Sequence, residues 1–107
     1  MEPFISEIRL FAFGDAPEGW MPCDGTMMPI NQFQALYSLI GTTYGGNGVH
    51  TFALPDLRGR IPAGVDEQHP AGRPFAFQSD KPSDASAQPA LALNFCIAWK
   101  GTYPRRA

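Results

Sequence analysis

ALALNFCIAWK, residues 90–100, alternates large and small side chains along its whole length. In an extended chain Leu91, Leu93, Phe95, Ile97 and Trp99 share one face, and Ala90, Ala92, Asn94, Cys96 and Ala98 share the other. One face is bulky and the other small but still mostly apolar. That pattern reads as a strand buried on both sides, which suits a central position with another element packed closely on its small face.

The N-terminal part supplies neighbours for such a strand. Residues 4–13 read as a strand with Ile8, Leu10 and Ala12 on one side. Glu7 and Arg9 lie on the other side with Phe11 and Phe13, so that side is expected to be half covered. GDAPEG (14–19) closes this strand with two glycines and a proline. Two short extended pieces, 20–23 and 26–30, flank Asp24-Gly25, a pair that tolerates positive φ, and are read as a small hairpin.

One helix stands out. Asn31 is a suitable N-cap with Gln34 at the capping-box position. Phe33, Leu36, Tyr37 and Ile40 then recur at three- and four-residue spacing, and Gly41 ends the run. A helix of about ten residues is too short to hold alone, so its stripe should dock on the strands and meet Phe95 and Trp99. From 42 to 64 the chain reads as an irregular loop pinned by Leu54 and Leu57. The segment 65–90 is polar and proline-broken, a linker or arm whose exceptions are Phe75 and Phe77. Those two rings are expected to dock on this chain or on a neighbouring copy. The expected architecture is α+β: a small single domain over 1–107, with short, mostly antiparallel strands, one α-helix and long ordered Gly/Pro-rich loops.

Composition narrows the function. The chain has 107 residues, 44% hydrophobic and 17% charged, with 8 Lys and Arg against 10 Asp and Glu. A formal charge of -2 argues against a nucleic-acid partner, because phosphate neutralisation needs clustered cations. No apolar run approaches the ~20 residues that span a bilayer, so no membrane insertion is expected. MEPFISEIRLF (1–11) lacks a basic n-region before a long apolar stretch, so export would not use a conventional signal peptide. Eleven glycines and eleven prolines exclude a helical bundle.

Chemistry is not signalled. Cys23 and Cys96 each lack a close Cys or His partner, so a structural metal site is not predicted. They are either inert core thiols or partners in a disulfide. Gly41 and Gly46 have the gap of a phosphate loop, but Asn47-Gly48 stands where Lys and a hydroxyl residue are needed, and the loop follows a helix. None of Ser6, Ser38, Ser79, Ser83 and Ser86 lies in G-x-S-x-G, and His50 and His69 are the only candidate bases. No catalytic residue, no metal and no cofactor are predicted. In PDLRGR (55–60), Asp56 with Arg58 or Arg60 is read as a salt bridge that braces the loop.

Four segments carry a resemblance: IRLFAF (8–13), PEGWMPCDG (17–25), QALYSLIGTTYGGNGVHTFALPDLRGRIPAG (34–64) and LALNFCIAWKGTYPRR (91–106). Together they resemble the phage tail collar domain family, especially its bacterial branch often labelled microcystin-dependent proteins. Members usually carry a longer middle segment with an L-P-x-H-x-H element, and in trimeric short tail fibres related His pairs bind a metal on a three-fold axis. This chain has no H-x-H and only the short 65–90 segment there, so the metal role does not carry over. The resemblance implies a non-enzymatic structural subunit in a virion or an extracellular or cell-surface assembly. Its partners would be copies of itself, as a trimer or larger array, with other tail or surface-structure subunits as further candidates. The alternative is a receptor- or carbohydrate-binding adhesion module, with Trp20, Tyr44 or Phe75 and Phe77 as aromatic platforms.

Overall fold

A computed structural model gives the architecture and describes residues 2–76 and 89–105. Strand β5 (Asn94–Ala98) lies between β1 (Ile8–Phe11) and β2 (Trp20–Pro22), antiparallel to both. β3 (Met27–Pro29) and β4 (Thr51–Ala53) form a second, two-stranded antiparallel sheet. A 3₁₀ turn (Ile30–Gln32) leads into helix α1 (Gln34–Ile40). Antiparallel strands and one helix make the fold α+β.

The alternating stretch that predicts a central strand does occupy the centre. Its small face carries Cys96 and Ala98, both fully buried, with Trp20 beside Ala98 and Phe11 and Ala16 packed against them. Its large face sends Ile97 into the main core with Phe52, Leu54, Leu36 and Met28. Only five residues pair, however. Leu91 is 84% exposed, because its apolar alternation continues beyond the last residue of β1 that can face it. Phe95 and Trp99 are half-buried at the rim of the core, and the Trp99 ring meets Phe33 edge-on at 5.5 Å between centroids.

Four other expectations are corrected. β1 is shorter than 4–13, because Ser6 and Glu7 both bond Ala98: Ser6 N–H donates to its carbonyl at 2.8 Å, and its N–H donates to Glu7 O at 2.9 Å. Two residues opposite one form a bulge, with Ser6 at φ +76°. The bulge bends the chain, and Phe4 bridges Thr102 instead. The pieces around Asp24-Gly25 are not a hairpin. Gly25 does turn at φ +79°, but β2 then pairs with β5 and β3 with β4, in different sheets. The helix has seven residues and no side-chain N-cap, with Asn31 inside the 3₁₀ turn, where Ile30 N–H is already bonded to His50 O at 3.0 Å. Within α1, Leu36 is fully buried and Tyr37 and Ile40 pack beside it, as the stripe requires.

The fourth correction lies in the loop region 42–64, which contains β4 and with it Phe52, the largest fully buried side chain. Asn47 shapes the approach: its Oδ1 accepts the N–H groups of Val49 and His50 at 2.8 Å and of Thr51 at 3.1 Å. Gly46, at φ +97°, passes so close to Phe52 that a Cβ there would collide with its backbone. Leu54, fully buried, and Leu57, half-buried, anchor the following stretch as expected.

The core therefore centres on Phe52 rather than on Phe95. Truncating a fully buried aromatic costs ~3–5 kcal/mol, so Phe52→Ala should lower urea-unfolding stability by about that amount, and half-buried Phe95→Ala by clearly less. An equal loss for the two variants would contradict this placement.

Candidate functional site: the Asp56 loop and an apolar groove

Pro55, Asp56 and Leu57 follow β4 and are stitched to the turn at Cys23–Thr26. Gly25 N–H donates to Pro55 O at 3.2 Å, Leu57 N–H to Cys23 O at 2.9 Å, and Leu54 N–H to Thr26 O at 3.0 Å. Asp24 shapes its side of this seam by accepting from the Thr26 hydroxyl and, at 3.1 Å, from Thr26 N–H. On the other side the Asp56 carboxylate takes a two-pronged bond from Arg58, Nε to Oδ1 and Nη2 to Oδ2, both at 2.9 Å. Arg58 N–H adds a third contact at 3.2 Å, and Arg60 Nη1 donates to the Asp56 carbonyl at 2.8 Å. Arg60 stands 4.0 Å from the carboxylate itself. The Arg58 side-chain bonds, with help from its backbone N–H, hold the Asp56 carboxyl down at about 2.

The chain leaving this brace passes in front of the sheet. Between it and the large face of β1 and β5 runs a groove of about 1160 Å³, walled by Leu10 and Phe95 on the sheet side and by Leu57, Ile61, Val65 and Phe75 on the loop side. Tyr44 lines it and is 37% exposed. Ile8 and Leu10, expected on the inward side of β1, are on the core-bearing face of the sheet yet remain 41% and 48% exposed. β1 is an edge strand, so the core ends before reaching them. Phe75 lies against His69, ring centroids 4.0 Å apart, and His69 Nδ1 is 2.9 Å from Asp66 Oδ1. Phe77, the second expected arm contact, is outside the described residues.

Both cysteines are buried free thiols. Pro22 is the partner of Cys96 in the β2–β5 register, so Cys23, one residue on, faces the opposite side of the sheet. Cys23 sits in the main core with Ile97, and Cys96 lies under Trp20, so the disulfide alternative is not realised. Burial, then the neighbouring Cys96 and Asp24, pushes the Cys23 thiol up to about 12, and burial also raises Cys96. Trp20, considered as a binding platform, is a core residue with Phe11 edge-on and the Arg9 guanidinium 5.2 Å above its ring. Among the described residues no group of three His, Cys, Asp or Glu side chains is placed to hold a metal ion, and no helix is long and apolar enough to cross a membrane.

The seam between the Asp24 turn and the Asp56 loop is the feature that a family comparison covers in full. A family model described as the phage tail collar domain matches residues 6–62, just over half of the sequence. The chain belongs to the phage tail collar domain family. No curated protein matches it. The matched collar residues run from the bulge before β1 to Pro62, and so include four of the five strands, the helix and the Asp56 brace. β5 and the outer part of the groove's loop wall lie beyond them. The collar domain is a structural domain of phage tails and is not known as enzymatic.

Two outcomes follow for the collar chain. Its unfolded state protonates Asp56 near the ordinary 3.8, whereas the folded state does so only near 2, so the stability this pair supplies is present above about pH 3.8 and is lost as pH falls toward 2. Thermal midpoints of Asp56→Asn should therefore fall less steeply than wild type over that interval; parallel curves would show that the brace does not contribute. A thiol reagent at pH 8 should label neither cysteine in the folded protein and both after unfolding in denaturant without reductant. Failure to label either after unfolding would mean that they are bonded.

Proposed function

We propose that this collar domain is a non-enzymatic structural subunit that self-associates, as a trimer or larger repeating assembly, in a phage-tail-derived or extracellular structure. One observation carries the reading: the core-bearing face of the three-stranded sheet is left uncovered at its β1 edge, where Ile8 and Leu10 stay 41% and 48% exposed beside half-buried Phe95. Contiguous apolar surface rimmed by polar residues marks an interaction site. An edge strand with such a face is a template for further pairing unless something covers it. Copies of the same chain are the simplest cover, since most soluble oligomers are homo-oligomers. Val65 and residues 69–76 line the same surface, with Phe75 at its far wall.

Adhesion to a receptor or glycan is the second reading. Trp20 gives it no support, being buried, whereas Tyr44 and Phe75 both line the groove and are 37% and 40% exposed. Light scattering separates the two. The structural reading expects the purified protein at tens of micromolar to have a mass several times 11.7 kDa, reduced in a folded Leu10→Lys variant. A wild-type protein that stays at single-chain mass under these conditions, with glycan-array binding lost on Tyr44→Ala, would decide for adhesion.

A further inference from the structure

The groove and the N-terminal clasp of the same molecule have complementary chemistry. The groove is apolar along both walls and carries an excess of positive charge. Besides Tyr44, its ionisable lining groups are Arg9, Asp56, Arg60, His69 and Arg73. Arg9 is engaged elsewhere, paired with Glu7 and lying over Trp20 on the other face of the sheet. Asp56 is neutralised by Arg58, and His69 is held by Asp66. Arg60 and Arg73 are left to set the charge of the groove, and among the described residues no hydrogen bond or ion pair holds the Arg73 side chain.

The clasp has the opposite composition. Phe4 is 55% exposed, on a backbone that is tied down on both sides. Ile5 N–H donates to Thr102 O and Thr102 N–H to Pro3 O, each at 2.9 Å, and Phe4 N–H donates to Glu7 Oε1 at 3.0 Å. Glu2, which accepts from the Thr102 hydroxyl at 3.2 Å, shares a shallow depression with Glu18, where the one cation is Lys100. The exposed Phe4 thus stands on rigid backbone directly after Pro3, which lines the depression holding Glu2 and Glu18, so little ordering entropy remains to be lost on docking.

Resting on the self-association proposed above, we infer that the groove between β1 and the 57–75 loop receives the Phe4 clasp of a second copy, with the ring against Leu10, Phe95 and Ile61 and the Glu2 and Glu18 carboxylates toward Arg60 and Arg73. The contact joins two different patches, so it is directional: each molecule offers one groove and one clasp. Such contacts build rings where the rotation closes and filaments where it does not. Apolar burial supplies the attraction, and the charges select the partner patch and its orientation.

Charge exchange tests this on the whole chain. Arg60→Glu/Arg73→Glu reverses the groove, Glu2→Arg/Glu18→Arg reverses the clasp, and all these positions are exposed, so circular dichroism should remain that of wild type. Each variant alone is expected to sediment well below wild-type mass. An equimolar mixture should regain it, because each reversed patch then meets an opposite charge. Phe4→Ser should reduce the mass without being rescued by either charge variant. Folded charge variants that keep wild-type mass, or a mixture that stays small, would overturn the groove–clasp contact while leaving self-association standing. A wild-type protein at single-chain mass would overturn both.

Discussion

Both outer strands of the three-stranded sheet bond to β5 and not to each other, so the sheet exists only when a C-terminal strand is inserted between two N-terminal ones. β1 and β2 leave a gap that only an extended segment with one thin face and one thick face can fill. The thin face must lie under Trp20 and Phe11, and the thick face must reach Phe52 and Leu36. Cys96, Ile97 and Ala98 meet both demands, and all three are fully buried. The whole collar match lies N-terminal to this strand, so the matched residues need partners from beyond their own boundary. The loop-closure cost of bringing those partners in must be overcome before any rung of the sheet forms.

The same constraint creates the surface. A sheet of three strands has two edges, and the helix with the β3–β4 pair backs only part of its large face. Ile8 and Leu10 are on the outer side of that cover. The Asp56 brace then directs the following chain across the front of β1 instead of away from it, which turns an open apolar face into a groove. The groove thus combines a ledge built by long-range pairing with a wall that follows a local ion pair.

The sequence shows some of this clearly. β5 is legible because burial on both faces imposes a pattern that few surface segments share, and α1 because Leu36, Tyr37 and Ile40 must line one side. The Asp56–Arg58 pairing is legible because its partners are two residues apart. The reading goes astray where a local signal has to choose a distant partner. Asp24-Gly25 does make a turn, but nothing in it tells β2 to seek β5 and β3 to seek β4. β4 is three residues long, too short for periodicity to register, and Phe52 owes its central place to Gly46 and Asn47 shaping the approach. The groove is invisible in the sequence because Leu10, Ile61 and Phe95 come together only after the sheet has closed. The bulge at Ser6, which shortens β1, follows from a single residue at positive φ with no glycine to announce it.

Backbone hydrogen exchange followed by mass spectrometry on the native protein tests the dependence on β5 most directly. With its strand bonded on both sides and its side chains buried on both faces, Cys96–Ala98 should show the slowest-exchanging amides among the described residues, opening only with global unfolding. Exchange of these amides as fast as that of the exposed 66–76 loop would contradict the account, because the sheet, the core and the groove would then have to hold together without their central strand.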